Sequence, residues 1–597
     1  MFLRCTTRQK NGKDHRYWSI VESKRCVGNK IVQRHVLYLG ELDEQQYLNW
    51  ETTLQISNPT HAAQSTESAP QTGELFPAAP PCASADEKTR VRFDLSQMQL
   101  RHPRQWGACW LFCHFYQELG LDGFWAQRLP RSRKGTRWDL ILQTLCAYRL
   151  IAPGSEWRLH RHWFEHSAMA DLLGGDFALA EIHRLYECHD LILEHKGGLF
   201  DHLTQRWKDL FNAQFDVLLY DLTSTYFESE PPFAEADKRQ FGYSRDKRPD
   251  CVQVVIALIV TPEGFPLAYE VMPGNTSDKT TLQGFLERIE KQYGKAQRIW
   301  VMDRGIPTEA TLEQMRKSDP PVLYLVGTPK GRLSKLEAKL AGLPWQQARE
   351  GVEVKLLEQE GELYVLAKSA DRVSKERAMR RRQLKGLWRR LKELEHMDLK
   401  RDALLLKLGA ARQQSPAAWR LVKIQLPTER TKFGFALNRQ KLQAVRRREG
   451  RYLLRSNMVG KPAAQMWGFY LQLVQVEEAF RHLKGGLGVR PIFHQRMERI
   501  EAHIFIAFIA YCVHVSLGQR LKALAPGLTP RSALEKFGAM QMIDVHIPTS
   551  DGRQLILSRY TQPEPDQKLL LEKLKLKLPD QPPPKITLAQ VPKADAP

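Results

Sequence analysis

Short apolar runs between residues 215 and 326 constrain the fold of this chain more than any other feature. They are rich in Val, Ile, Leu and Phe, they are bounded by turn residues, and they lie at 215–220, 252–260, 265–271, 298–302 and 322–326. Such runs are typical of buried strands. One helical pattern begins at Asp278, a residue type that caps a helix N-terminus, and another begins near Thr308. The predicted order of elements is therefore β-β-β-α-β-α-β.

Three consecutive antiparallel strands followed by α/β crossovers form the order of an RNase H-like core. The predicted fold class is α/β, with this core interrupted by an insertion domain before a later acidic helix. An N-terminal β-rich module and a helical domain precede the core. The predicted segments are 1–55 (β-rich module), 56–95 (disordered linker rich in Ala, Pro, Ser, Thr and Gln), 96–213 (helical domain that could bind DNA), 214–329 (first part of the core), 330–457 (insertion domain), 458–550 (second part of the core) and 551–597 (C-terminal tail without assigned chemistry).

The charge balance of the chain indicates a polyanionic partner. Lys and Arg number 89 against 67 Asp and Glu, for a formal net charge of +22, and the excess is spread along the chain. Neutralising phosphates and releasing their counterions would give such a chain affinity for nucleic acid. The alternative that charge alone leaves open is an ordinary soluble basic protein.

The cysteine and apolar patterns favour the cytoplasm over secretion or a membrane. The nine cysteines are scattered without a C-x-x-C pair, and no charged-then-apolar leader opens the sequence. No apolar run reaches the ~18 residues that a membrane span needs, so the apolar stretch 504–517 is predicted to be a buried helix. His160, His162 and His166 lack a cysteine partner set, which argues against a zinc site there.

Two carboxylates follow predicted strands of the core directly. Asp221 comes after the apolar residues 217–220 and Asp303 after 299–302. Strand C-terminal ends are where α/β sheets place ligands, so both acids are expected at one edge of the sheet. Uncompensated, they would repel each other, and a divalent cation would relieve this repulsion. For either residue alone, the alternative is an Asp that caps a loop.

A third acid is expected from a later helix, predicted at 467–487. Tyr470, Glu477 and Lys484 are spaced by seven residues and would share one face of that helix, with Arg481 close to it. The neighbouring Glu478 points about 100° away and is the weaker candidate. The alternative is a solvated helix with local Glu–Arg pairs.

Three such acids predict metal-dependent phosphoryl transfer. Two Mg²⁺ ions, with Mn²⁺ as an alternative metal, can clamp the attacking and leaving oxygens of an in-line displacement at phosphorus. Water as the nucleophile would nick DNA, and a 3′-hydroxyl would join strands. A basic helix predicted at 374–396 would contact phosphates through Arg380, Arg381, Arg382, Arg389 and Arg390.

At residues 470–484 the sequence resembles the DDE transposases of bacterial insertion sequences, in the group with a Y-x2-R-x3-E-x6-K signature. Tyr470, Glu477 and Lys484 match in register, whereas Leu473 stands at the Arg position, for which Arg481 is the substitute we consider. Further matching segments lie at 220–228, 242–250, 274–278, 490–494 and 499–503, and the resemblance spans about residues 100 to 550.

The resemblance implies that Asp221, Asp303 and Glu477 bind the catalytic metal and that Tyr470 and Lys484 contact the DNA backbone. It implies a transposase that cuts insertion-sequence ends and joins them to target DNA. The protein would work as a homodimer on DNA, at the nucleoid in the bacterial cytoplasm. Two alternatives stay open from the sequence: an RNase H-like nuclease without strand transfer, and a catalytically inactive DNA-binding relative.

Overall fold

The computed structural model of the chain describes residues 2–10, 13–25, 31–56, 93–133, 135–175, 177–229, 237–293, 298–303, 305–328, 336, 339–340, 342–397, 399–427, 433–490 and 492–588. The linker predicted at 56–95 lies outside the described residues except at its two ends.

The strands are β1 (Phe2–Lys10), β2 (Lys13–Arg25), β3 (Ile31–Gly40), β4 (Gln99–Gln105), β5 (Val217–Phe227), β6 (Val252–Val260), β7 (Pro266–Pro273), β8 (Ile299–Met302), β9 (Leu323–Gly327), β10 (Gln346–Arg349), β11 (Val352–Gln359), β12 (Glu362–Ser369), β13 (Val422–Gln425), β14 (Gly434–Leu437), β15 (Arg451–Ser456), β16 (Gln541–Pro548), β17 (Arg553–Tyr560) and β18 (Lys585–Leu588).

The α-helices are α1 (Glu44–Ile56), α2 (Gly107–Glu118), α3 (Leu121–Arg128), α4 (Trp138–Ile151), α5 (Glu156–Arg158), α6 (Met169–Leu173), α7 (Ile182–Ile192), α8 (Lys196–Phe211), α9 (Asp278–Tyr293), α10 (Glu309–Lys317), α11 (Ala370–His396), α12 (Arg401–Gln414), α13 (Pro416–Trp419), α14 (Arg439–Arg448), α15 (Ala463–Leu471), α16 (Leu473–Arg481), α17 (Met497–Leu524), α18 (Pro530–Phe537) and α19 (Pro565–Leu574).

The chain divides into two compact units. We call residues 7–16 and 213–480 the sheet unit, and residues 1–6, 17–212 and 481–597 the helical unit. In the sequence, the sheet unit is thus mainly one long segment that lies between two segments of the helical unit.

A nine-stranded sheet in the order β10-β11-β12-β15-β9-β8-β5-β6-β7 forms the framework of the sheet unit. Strands β5, β8 and β9 are parallel neighbours, and β6 and β7 continue antiparallel from β5. The predicted succession β-β-β-α-β-α-β is confirmed by β5, β6, β7, α9, β8, α10 and β9.

The core of this sheet explains why its strands are so apolar. All nine residues of β6 are buried, as expected for a central strand that is covered on both faces. On one face, α9 and α10 pack Leu282, Phe285 and Leu312 against Leu218 and Trp300 of the strands. Helix α10 begins as predicted at Thr308, whose hydroxyl accepts the backbone N–H of Thr311 at 3.1 Å.

Four strands of the predicted insertion, 330–457, extend the same sheet. The hairpin of β11 and β12 turns at Gly361, which has φ of +73° and therefore favours glycine. Strand β12 pairs with β15, and β15 pairs with β9, so the chain returns to the first part of the sheet. Between β12 and β15 lies a separate small core, in which α11, α12 and α13 pack Leu387, Leu391 and Leu404 beside the β13–β14 hairpin.

The helical unit is built around α17. In this helix, as predicted for residues 504–517, a continuous apolar stretch is buried. By length and composition α17 could cross a membrane, but 94% of its most apolar 18-residue window is buried inside the protein. It contacts α2, α4 and α7, which makes it the central helix of this unit's core.

The two ends of the chain contain elements that the sequence pattern did not indicate. Helix α1 follows the three strands of the N-terminal sheet β1-β2-β3. The alternating Lys and Leu residues at 568–578 predict a helix near the C-terminus, and α19 begins earlier, at Pro565, and ends at Leu574, before Lys575 with its φ of +56°. Strands β16, β17 and β18 form a sheet with β4, so segments from both ends of the helical unit pair with each other.

Candidate active site

The register of two parallel strands brings the first two acids side by side. Strand β5 pairs with β8 from Val217 opposite Ile299 to Tyr220 opposite Met302. The next residue on each strand is an acid, Asp221 and Asp303. Neighbouring strands lie about 4.8 Å apart, so the two carboxylates leave the sheet at one position of its edge.

The expectation that Asp221 ends its strand is wrong. Strand β5 continues to Phe227, because it remains paired with β6 from Leu219 opposite Val260 to Phe227 opposite Val252. Only the parallel pairing with β8 stops at Tyr220. Asp221 therefore sits at the point where one side of β5 loses its neighbour, which opens space beside a strand that is held rigidly on its other side.

Asp221 is the electrostatic centre of the site. The pKa of its carboxyl is raised to about 7, mainly by burial and to a smaller extent by the negative charges of Asp303 and Glu477. The backbone N–H of Leu222 and the guanidinium of Arg245 act in the opposite direction. The charges of Asp303 and Glu477 thus both act on the carboxyl of Asp221. They do so although Glu477 is 174 residues beyond Asp303 in the chain (477 − 303).

The helix that carries Glu477 is shorter than predicted. In place of one helix over 467–487 there are α15 and α16, separated at Gln472, and a π-helical turn at His482–Gly486. At the break, the N–H of Gln472 donates to the carbonyl of Phe469 at 3.2 Å, which tightens the chain to i→i−3 bonding. The seven-residue spacing therefore does not place Tyr470, Glu477 and Lys484 on one regular face.

The other residues of the family signature differ from Tyr470 in their packing and exposure. The Tyr470 ring packs against Tyr452 and Trp467, with ring centroids 5.8 and 5.9 Å apart, within the sheet unit. Arg481 is exposed at the end of α16, and Lys484 is half-buried in the π-helical turn. Glu477 is exposed on α16 and Glu478 is half-buried.

Arg245 is a charged residue of the site to which the sequence analysis assigned no role. Its backbone N–H donates to the hydroxyl of Ser224 on β5 at 3.4 Å, which ties its loop to the strand of Asp221. The signal that could have indicated it was the segment 242–250, which carries three basic residues and matches the family in the sequence analysis.

Close backbone packing holds the Arg245 loop in place. A Cβ at Gly242 would lie 2.1 Å from the carbonyl oxygen of Gly274, and a Cβ at Gly274 would lie 2.0 Å from that of Gln253. The side-chain amide of Gln253 donates to the carbonyls of Gly274 and Tyr243 at 2.9 and 3.1 Å. The segment around Gly274 therefore does not only form the turn that precedes α9. It also holds the loop of Arg245 in place.

The predicted basic helix is α11, and the structure corrects one of its residues. Arg380 is buried and forms an ion pair with the buried Glu449, so it does not face a ligand. Arg381, Arg382 and Arg389 are exposed. Arg390 pairs with Glu393 one turn further along at 2.8 Å.

Two family models and a solved structure match parts of this chain. Residues 213–513 match the family described as Transposase DDE domain, and residues 3–62 match the N-terminal domain of IS1634 family transposases. A solved cryo-EM structure, of the piggyBac transposase synaptic complex with hairpin DNA, aligns at 10% identity and a TM-score of 0.33 over 72% of this chain and 78% of that chain. No curated protein matches the chain.

The site and the longer of the two matches define the class of protein, a nucleic-acid-handling enzyme of the DDE type. The chain belongs to the DDE transposases of bacterial insertion sequences.

Proposed function

We propose that this transposase cuts the ends of its insertion sequence and joins them to target DNA, with Asp221, Asp303 and Glu477 as the catalytic acids. One observation carries the proposal: the register that ends at Tyr220 and Met302 sets two acids side by side, and Glu477 acts on the same carboxyl. The strand order β7-β6-β5-β8-β9 around them supports an RNase H-like core.

The acids fit a divalent metal. Three carboxylates supply hard oxygen donors. The pKa of Asp221 is raised to about 7 first by burial and then by the charges of Asp303 and Glu477, and a bound cation would favour the ionised form of this carboxyl. We propose that these three residues hold Mg²⁺, with Mn²⁺ as an alternative. When bound, such ions neutralise charge on the attacking and leaving oxygens of an in-line displacement at phosphorus.

The remaining roles belong to the protein's own cations. Arg245, whose charge lowers the pKa of Asp221, lies where it can also attract a phosphate. Arg381, Arg382 and Arg389 offer an exposed basic face on α11 for the DNA backbone. These contacts position DNA without reading its sequence, which is what a joining reaction into varied targets requires.

A strand-transfer assay tests the proposal. Pre-cut DNA ends, taken from the sequence that flanks the reading frame, are incubated with the full chain, target plasmid and Mg²⁺. Joined products are expected, and Asp221→Asn should abolish them while DNA binding persists. Asp216→Asn is the matched control, because Asp216 is exposed just before β5 and lies outside the set of acids.

The two alternatives give different outcomes in the same assay. Hydrolysis of DNA without joined products would identify a nuclease and overturn strand transfer. Binding without any cleavage would identify an inactive relative. Cleavage that persists in Asp221→Asn would show that the acids are assigned wrongly.

Joining two ends in one reaction favours a homodimer in the DNA complex. Light scattering of the protein with paired ends should give two chains per complex, and one chain would contradict this. The site of action we propose is the nucleoid in the bacterial cytoplasm, where such DNA lies.

A further inference from the structure

A second cluster of metal-binding side chains lies in the helical unit and has no part in the proposed reaction. Glu156, His189, His494 and His503 are all buried, and one ligand atom from each lies within 4.8 Å of the others. Glu156 is on α5, His189 on α7, His503 on α17, and His494 lies in the segment before α17.

Three imidazole nitrogens surround one carboxylate oxygen at a distance too long for hydrogen bonds. From Glu156 Oε1, His189 Nε2 is 3.6 Å away, His494 Nε2 is 3.5 Å away and His503 Nδ1 is 3.5 Å away. Ligands around a tetrahedral Zn²⁺, each bonded at about 2.0–2.1 Å, stand roughly 3.4 Å from one another. The three distances from Glu156 Oε1 are close to this separation, and all four ligand atoms lie within 4.8 Å of one another.

The hydrogen bond of His189 turns its free nitrogen toward this centre. Its Nδ1–H donates to the backbone carbonyl of Leu185 at 2.8 Å, which leaves the lone pair on Nε2. That nitrogen is buried and has no hydrogen-bond partner, and the same is true of His494 Nε2. In the neutral form of His189 this lone pair faces a carboxylate oxygen, and a cation between the two atoms would remove their repulsion.

Arg149 supplies part of the hydrogen bonding of the cluster. Its guanidinium donates to Glu156 Oε1 at 2.5 Å and to His503 Nδ1 at 3.1 Å. The lone pair of His503 Nδ1 is therefore already used, whereas other lone pairs of the carboxylate are left for an ion.

We propose that Glu156, His189 and His494 bind a structural divalent transition metal of the zinc type, with His503 held beside them by Arg149. Imidazole and carboxylate donors suit Zn²⁺. The ion would connect a part of the chain that precedes the sheet unit (156 and 189) to a part that follows it (494). It would thus stabilise the helical unit, independently of the Mg²⁺ proposed for the acids of the sheet unit.

Metal analysis of the wild-type protein tests this directly. The full chain, with any histidine tag removed, is purified without added metal or chelator. Mass spectrometry should find about one zinc per chain. Prolonged chelation should remove it and lower the melting temperature, and Zn²⁺, but not Mg²⁺, should restore that temperature. Absence of bound metal, together with no response to Zn²⁺, would reduce the cluster to a hydrogen-bonded network around the Arg149–Glu156 pair.

Substitution with Co²⁺ reports the ligands themselves. Cobalt in the wild-type site should give visible absorption of a tetrahedral centre, and His494→Cys should add a thiolate-to-cobalt charge-transfer band in the near ultraviolet. No such band arises if residue 494 does not touch the metal. If His494→Cys fails to fold, the metal content and cobalt spectrum of the wild type still decide the question.

Two control variants separate this site from its surroundings. His183→Ala removes an exposed histidine from the same helix as His189 and should keep the zinc. Asp221→Asn should also keep it, so a failure of the proposed catalytic site leaves the zinc result unaffected. Loss of zinc in either control would contradict the assignment.

Discussion

Tyr220 and Met302 face each other in the parallel ladder of β5 and β8, and the residue after each is an acid of the candidate active site. The main-chain ladder thus fixes the separation of Asp221 and Asp303, without contributions from flexible loops. The third acid, Glu477, lies on helix α16 in a distant part of the chain, and its charge raises the pKa of Asp221.

Replacing Glu477 with Gln should abolish DNA cleavage. The expected loss is roughly 10³-fold or more, the order seen when one member of a concerted catalytic set is removed. The matched control is Glu478→Gln, one residue along the same helix, which should retain activity within a few-fold. Equal losses in both variants would mean that α16 supplies only stability, and single-turnover cleavage with Mg²⁺ measures the difference.

Neutralising the exposed face of α11 should weaken DNA binding in a salt-dependent way. The triple change of Arg381, Arg382 and Arg389 to Ala should flatten the log–log salt dependence by about 0.9 for each lost phosphate contact. Fluorescence anisotropy at several salt concentrations measures this slope.

Arg380 provides the contrast on the same helix. Because it pairs with the buried Glu449, Arg380→Ala should lower the melting temperature and leave the salt slope unchanged. A slope that stays constant in the triple variant, or falls in Arg380→Ala, would contradict this division of roles.

Gly274 should tolerate no side chain. In Gly274→Ala the new Cβ would meet the carbonyl oxygens of Gln253 and Gln240 at 2.0 and 2.3 Å, so the backbone must move, at a cost of about 2 kcal/mol or more. The control is Gly284→Ala within α9, where no atom lies within 4 Å and Ala should add about 0.5–1 kcal/mol of stability. Thermal unfolding of both variants checks the opposite signs.

Asp544 should make the helical unit sensitive to acid. Burial raises the pKa of this carboxyl, but hydrogen bonds from Arg104 and Ser558 outweigh burial and bring the pKa below its usual value. Since the folded pKa is lowered, the stabilisation is complete above the ordinary Asp value near 3.9 and is lost as pH falls through the folded pKa.

The variant Asp544→Asn isolates this contribution. It should cost about 2 kcal/mol at pH 7, the value of a hydrogen bond to a charged group. The gap between the melting temperatures of variant and wild type should narrow below pH 4. Curves that stay parallel between pH 3 and pH 7 would show that another group governs acid unfolding.

Much of the sheet could be predicted because its signals are local. The apolar runs around β5, β6 and β8, and the capping Thr308 of α10, depend on residues near each other in the chain. The acids Asp221 and Asp303 were visible because each directly follows such a run. The extension of β5 to Phe227 was not visible, since it depends on pairing with β6, which lies 25 residues further on (252 − 227).

By itself, the sequence determined which strands are buried and which acids follow them, because burial on both faces leaves a continuous apolar pattern in a few adjacent residues. The tertiary structure decided the break at Gln472, the pairing of Arg380 with Glu449, and the meeting of Glu156 with His189, His494 and His503. Those outcomes depend on contacts between distant segments of the chain. The residues next to a polar side chain in the sequence do not show whether its hydrogen-bond partner will be a distant residue or water.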